Sequence, residues 1–169
     1  MLKRIEKPPK QPLPNNASAC VIPTPVGSLA LGTKDSQLYC LKYCRSAPAT
    51  QKIVDPFKQD VINALNKYFF EQIAIPDFPY TFSGTLFQKK VWLALCRIPF
   101  GETRTYGELA KKLNTSAQAV GNACRENPIS IIIPCHRVVS RVGLGGYGGK
   151  VSGSKIKIKT WLLRHEGAI

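Results

Sequence analysis

The chain has 169 residues, 44% apolar and 20% charged, a globular composition with room for one domain or two small ones that excludes disorder of the whole. Its 24 Lys and Arg against 10 Asp and Glu leave a net charge of +14, which favours polyanionic partners, nucleic acid ahead of an anionic membrane. No apolar run nears the roughly 18 residues of a membrane span. Met1, Leu2, Lys3 and Arg4 lead into Pro and Lys rather than an apolar signal core, so the six cysteines are expected as free thiols of a reduced compartment. The expected location is the cytoplasm of a bacterial-type cell, or the nucleus in a eukaryote.

Residues 1–18 hold four of the 13 prolines and read as a loose, extended leader. Residues 19–45 alternate apolar and polar groups in short runs punctuated by Pro23, Pro25, Gly27 and Gly32, which predicts two or three short antiparallel strands. Asp55 and Pro56 start a predicted helix over 56–71, with Val61, Leu65, Tyr68 and Phe69 at helical spacing, and Pro76 and Pro79 break the chain after it. A second helix is predicted over 85–98 with Phe87, Val91, Trp92, Leu95 and Ile98 on one face, stopped by Pro99 and Gly101. A short helix over 106–113, a turn and N-cap at 114–116, and a helix of small residues over 116–125 follow. That arrangement fits a helix-turn-helix, or a plain helix pair. Charge favours the first: residues 81–169 carry 14 basic and 4 acidic groups, residues 1–80 only 10 and 6.

The chemistry concentrates in residues 131–139. A β-branched run, Ile131, Ile132 and Ile133, ends at Pro134, then come Cys135, His136 and Arg137, then Val138 and Val139. This predicts a buried strand that stops, displays a thiol and an imidazole, and turns back. A thiol is mostly protonated near neutral pH and becomes a nucleophile when a base removes its proton. His136, one of only two histidines, can supply that base, directly or through water. Adjacent strand residues face opposite ways, so a direct contact would need the turn at Pro134. An imidazole base needs an orienting acceptor, and Glu102, Glu108, Glu126 and Glu166 are the four carboxylates after residue 80. Spacing does not choose among them, and the residues alone leave open whether Cys135 is reactive or an inert buried thiol.

Residues 134–138 (Pro-Cys-His-Arg-Val) resemble the active-site pentapeptide of the O6-alkylguanine-DNA alkyltransferases, the methylated-DNA–protein-cysteine methyltransferases. The surroundings agree: Gly84-Thr85-Leu86-Phe87-Gln88, Val91-Trp92, Tyr106-Gly107-Glu108-Leu109-Ala110, Asn127-Pro128, Gly146-Tyr147 and the closing Trp161-Leu162-Leu163-Arg164-His165-Glu166-Gly167. The resemblance covers residues 81–169. It implies a two-domain protein: a ribonuclease-H-like α/β N-terminal domain over 1–80 and a winged helix-turn-helix over 81–169 that binds DNA and accepts the alkyl group. The implied activity is irreversible, single-turnover transfer of an alkyl group from O6 of guanine, and less well O4 of thymine, to Cys135. No metal, flavin or nucleotide cofactor is required. The implied partner is double-stranded DNA bearing the lesion, bound through the minor groove by a monomer.

Residue by residue, the resemblance makes Cys135 the nucleophile and His136 the base, acting through a water, with Glu166 orienting it. Asn127 braces the turn before the active-site strand. Tyr106 donates to the target base or its flanking phosphate and to N3 of the leaving guanine. Tyr147 and Gly148 wall the pocket. Ala119 and Gly121 let the second helix sit close to the groove, or suit close helix packing. Two departures stand out. Gln118 occupies the place where many members carry an arginine that fills the gap left by the flipped base, which predicts weaker flipping with Arg125 or Arg104 supplying phosphate contacts. The basic, partly Gly/Ser-rich spacer over 150–160 is longer than usual, and reads as a tolerated surface insertion, with a flap or an added phosphate contact as alternatives. Cys40 and Cys44 have no histidine near them, so no zinc is expected. The Gly143–Gly148 pattern lacks the context of a dinucleotide site. The competing functions are a non-enzymatic lesion-binding protein, which Cys135 argues against, a DNA-binding regulator and a cysteine hydrolase.

Overall fold

The structure is a computed structural model and describes residues 18–44 and 55–169; apart from Ser18, the predicted leader lies outside them. Of the two or three predicted strands, three form: β1 (Ser18–Ile22), β2 (Ser28–Lys34) and β3 (Gln37–Cys44) make an antiparallel sheet in that order. Asp35 and Ser36 join β2 to β3 with φ of 50° and 53°, the two-residue mirror-image turn whose twist matches the strands. A register shift between Gly32 and Thr33 leaves Tyr39 as an extra residue on β3. It reverses the alternation, so that Leu38 and Leu41, an odd number of positions apart, both bury fully.

The first helix, α1 (Pro56–Glu71), has its predicted bounds. Asp55 caps it by accepting from the Phe57 N–H at 3.0 Å, and Pro56 occupies the first position, where no N–H is missed. The Asp55 carboxylate also accepts from Thr33 Oγ1 at 3.0 Å, which ties the helix start to β2. Val61, Leu65, Tyr68 and Phe69 face the core.

In the second half, α2 (Leu86–Leu95) starts from a capping box between Thr85 and Gln88. It stops short of the predicted 98. The chain tightens there, with Ile98 N–H on Leu95 O at 3.0 Å, so Ile98 stays buried without being helical. Then come β4 (Arg104–Thr105), α3 (Tyr106–Lys112) on a Thr105–Glu108 capping box, and α4 (Ala117–Arg125) capped by Ser116. A single 3-10 turn at Cys135–Arg137 leads into β5 (Val138–Val139), which pairs in parallel with β4. Helix α5 (Ser154–His165) closes the chain.

One edge of β3 is stitched to the second half. Leu38 pairs with residues 79–81 through bonds of 2.9 Å. Leu41 N–H donates to Pro128 O at 3.0 Å and Leu41 O accepts from Ser130 N–H at 2.8 Å. The sheet thus holds the segment that leads to Cys135.

Candidate active site

The predicted strand before Cys135 does not form. Ile131 takes φ of +74°, a left-handed conformation that β-branched residues seldom adopt. Ile132 and Ile133 fold back through bonds to Ser130 O and Ile129 O, each 2.9 Å. The apolar run is therefore buried as a tight turn, and the 3-10 turn after Pro134 presents Cys135 and His136. Asn127 holds this segment: its Nδ2 donates to Ile133 O at 2.7 Å and to Cys135 Sγ at 3.2 Å, and its Oδ1 accepts from Ile129 N–H at 3.0 Å. Strain of this kind costs about 1–3 kcal/mol and persists only where neighbours over-determine it.

Behind the thiol, His136 and Glu166 are both buried, with Nε2 2.8 Å from Oε1. Of the four carboxylates left open by spacing, Glu166 is the one against the imidazole. Two further donors reach it. Arg137 forks onto it with Nε at 2.7 Å and Nη2 at 3.0 Å, and Tyr68 of α1 donates at 2.7 Å. Burial pushes the Glu166 carboxyl up, but the His136 and Arg137 bonds outweigh it and bring it down to about 2. Burial lowers His136 against the pull of Glu166, so its ring is neutral at pH 7. With Nε2 facing the carboxylate, Nε2 carries the hydrogen and Nδ1, buried and without a protein partner, keeps its lone pair.

Cys135 is pushed up by burial, and the Asn127 bond and then the Lys159 charge work against that. Lys159 corrects the reading of residues 150–160. The stretch from Ser154 is the start of α5, and Lys159 is fully buried. Its ammonium donates to the carbonyls of Val138, Leu144 and Gly146. Burial lowers it to about 8. Lys155 is half-buried and donates to Gly148 O at 3.0 Å. Of Lys155, Lys157 and Lys159 only Lys157 is exposed, while residues 150–154 ahead of them are exposed and Lys150 and Val151 line the cleft, so from Lys155 on the segment is part of a packed helix and not a loose surface insertion.

Cys135 opens onto a cleft of about 620 Å³ lined by Tyr106, Gln118, Gly121, Arg125, Tyr147 and Gly148 among others. These predicted residues come together around the thiol, while Asn127, His136 and Glu166 stand behind it. Tyr106 donates its hydroxyl to Gly146 O at 3.0 Å. Gln118 is exposed at the rim, 3.4 Å from Asn122 Oδ1. Arg125 pairs with Glu126 at 3.3 Å. Gly145 takes φ of +68°, and a Cβ there would lie 3.0 Å from the Tyr106 ring, so the loop reaches the tyrosine only as glycine. Ala119 and Arg104 do not line the cleft: Ala119 is half-buried, and Arg104 is exposed and paired with Glu102 at 2.8 Å. Another groove, about 560 Å³ on the Trp161 side of α5, holds no thiol.

The comparisons with known proteins agree with this geometry. Residues 86–168 match the family model for 6-O-methylguanine DNA methyltransferase, DNA binding domain. The chain is 38% identical over 160 residues to a methylated-DNA–protein-cysteine methyltransferase of Methanosarcina acetivorans, which covers 88% of this chain and 97% of that one. A crystal structure of Mycobacterium tuberculosis O6-methylguanine methyltransferase matches with a TM-score of 0.75 at 37% identity, over 90% of this chain and 93% of that one. The M. tuberculosis OGT in complex with DNA matches with 0.74 at 39% identity, over 88% and 91%. The class is thus a mixed α/β protein with a cysteine centre beside a DNA-binding helical unit. The chain belongs to the methylated-DNA–protein-cysteine methyltransferase family, at an identity that spans most of its length.

Proposed function

We propose that the protein repairs DNA by moving an alkyl group from O6 of guanine to Cys135. The observation that carries this reading is the placement of the Cys135 thiol at the cleft, backed by a buried, neutral His136 whose second nitrogen is locked on Glu166. Residues 1–80 are read as the ribonuclease-H-like part and 81–169 as the winged helix-turn-helix, with α3 and α4 as its helix pair. Helix α4 enters the minor groove of the duplex as a monomer's contact, and the damaged guanine leaves the stack at a cost of a few kcal/mol.

The resting sulfur is protonated, because burial outweighs the groups that favour thiolate. Attack therefore requires loss of that proton, which passes to His136 Nδ1, directly or through one water. The sulfur then bonds to the alkyl carbon as the carbon–O6 bond breaks. The guanine leaves with the electron pair of that bond and takes up one proton through the Tyr106 hydroxyl at the cleft wall; the proton held on His136 then replaces, through solvent, the one Tyr106 gave, so both side chains end as they began. Glu166, held by Arg137 and Tyr68, keeps the imidazole in its accepting tautomer and balances the charge it gains. The product is a thioether. No group at this site can displace an alkyl from sulfur, so each molecule acts once.

Stoichiometry tests the reading. With a tenfold excess of duplex carrying one O6-methylguanine, repair stops after one equivalent per protein. Continued turnover would point to a hydrolase and contradict it, and damage-selective binding without repair would point to a lesion binder.

A further inference from the structure

Besides α4, the cleft is lined by a tight turn that no step of the transfer uses. Ser140 N–H donates to Gly143 O at 3.0 Å, and Val142 N–H donates to Ser140 Oγ at 3.4 Å, so Arg141 and Val142 form its tip. Both are exposed, Val142 at 93%, and Arg141 lines the cleft. The Arg141 guanidinium has no ion-pair or hydrogen-bond partner among the described residues, whereas Arg104, Arg125 and Arg137 each hold a carboxylate.

The turn is anchored at its root. The buried Lys159 ammonium donates to Val138 O and Leu144 O, one on either side of it, and Val138 and Val139 pair with β4. Gly145 packs so close that a Cβ there would lie 3.0 Å from Ser140 N. A buried ammonium is costly unless it is fully bonded, and here much of what it bonds is the stem of an exposed turn. Lys150 and Val151 line the same cleft, with Val151 85% exposed. A cation beside an exposed valine thus occurs twice at one opening.

This chemistry fits a nucleic-acid backbone. A phosphodiester strand sets an anion at each nucleotide and the carbon face of a sugar between, which a guanidinium next to a valine can match. The surface is continuous with the cleft, and the half that carries it has 14 basic and 4 acidic groups. We propose that the Arg141–Val142 turn is a second DNA contact of this protein. Arg141 pairs with a phosphate of the strand that carries the damaged guanine, beside the extruded nucleotide, and Val142 lies on the adjoining sugar. Such contacts fix register without reading sequence: α4 holds the duplex and the turn holds the strand from which the base has left. The inference rests on the proposed reading of the cleft as the place of that base.

The test starts with binding alone. Anisotropy of a fluorescein-labelled undamaged duplex is followed against salt in wild type, Arg141→Gln, Arg141→Lys and Lys157→Gln, the last altering an exposed cation on the other groove. Arg141→Gln binds about 3–10-fold more weakly at low salt and flattens the log K against log salt slope by about one. Arg141→Lys keeps the slope, and Lys157→Gln moves it far less. Iodoacetamide labels Cys135 at the wild-type rate in each, which shows the cleft intact. Position is then read in a Cys135→Ala background on duplex bearing one O6-methylguanine, with one phosphate ethylated at a time. Ethylation beside the lesion on the damaged strand weakens binding when Arg141 is present and has no effect in Arg141→Gln. An unmoved slope, an equal change in Lys157→Gln, or an ethylation pattern that ignores Arg141 would overturn the proposal. So would a loss seen only on phosphatidylglycerol vesicles. A shifted slope and pattern with no methyl transferred by the wild type would uphold the contact and overturn the proposed repair function instead.

Discussion

At residue 127 one side chain decides whether the nucleophile is held. Asn127 uses both ends of its amide, on Ile133 O, Cys135 Sγ and Ile129 N–H. Asn127→Ala leaves the Ile129 N–H buried and unpaired, at about 1–3 kcal/mol, while Ile133 O keeps the Cys135 N–H at 2.8 Å. Its urea unfolding midpoint should fall by an equivalent of about 1–3 kcal/mol, and its transfer rate more than tenfold; an unchanged midpoint would contradict the bracing role. Glu166 gives a pH dependence. Its carboxyl drops from an ordinary 4.5 to about 2 on folding, so its contribution is full above 4.5 and is lost as pH falls through 2. By the linkage relation it is on the order of 3 kcal/mol. His136, lowered on folding, acts in the same direction below its unfolded pKa. Glu166→Gln should therefore be less stable at pH 7 and lose less on acidification, as read by denaturation at pH 7 and pH 3. Equal acid losses in the two proteins would count against this network. Cys135 and His136 were legible because the sequence places its rare histidine beside a thiol. Glu166 was legible only through the family resemblance, since four carboxylates had equal claim by spacing alone. Tyr68 read as one more residue of a helix stripe, and only its neighbours across the fold make it a donor to Glu166.

Helices and strands were legible where local chemistry agreed with packing. Asp55 and Ser116 cap their helices where the sequence reading put a start, and Thr85 and Thr105 cap theirs without having been read as caps. The 131–133 run failed as a strand, because β-branched propensity yields to tertiary context: Asn127 and the β3 edge satisfy its backbone in a turn. Lys159 was misread for a different reason. Lys155, Lys157 and Lys159 look like one exposed series, yet at helical period Lys159 shares a face with Leu162 and Leu163, both fully buried. In α4 the small residues serve both readings. Ala123 is buried and its carbonyl accepts from Trp92 Nε1 at 2.9 Å, while Ala117 and Gln118 face the cleft. Gln118→Arg puts a charge at that rim. Affinity for undamaged duplex should rise about 3–10-fold at low salt, with a log K against log salt slope steeper by about one. An unchanged slope and repair rate would remove position 118 from the account.

Across the whole molecule the two halves are one cooperative structure around the site. Leu41 bonds residues 128–130, Tyr68 reaches Glu166, and Tyr147 reaches Tyr43, each bridging from the N-terminal half to the catalytic segment. Their buried side chains form one continuous core. Calorimetry should thus show a single transition with equal calorimetric and van't Hoff enthalpies. Tyr68→Phe, which removes a bond to a buried carboxylate, should lower that one transition by about 1.5–3 kcal/mol; two separate transitions would contradict the coupling. These junctions pair residues far apart in sequence, which is why the sequence reading did not show how the two halves meet. Most directly, the account rests on where the alkyl group goes. Intact mass after mixing the protein with duplex bearing one O6-methylguanine should show a gain of one methyl per chain, confined to the Cys135 peptide and absent in Cys135→Ala. A methyl on any other residue, or none while the DNA is repaired, would contradict it.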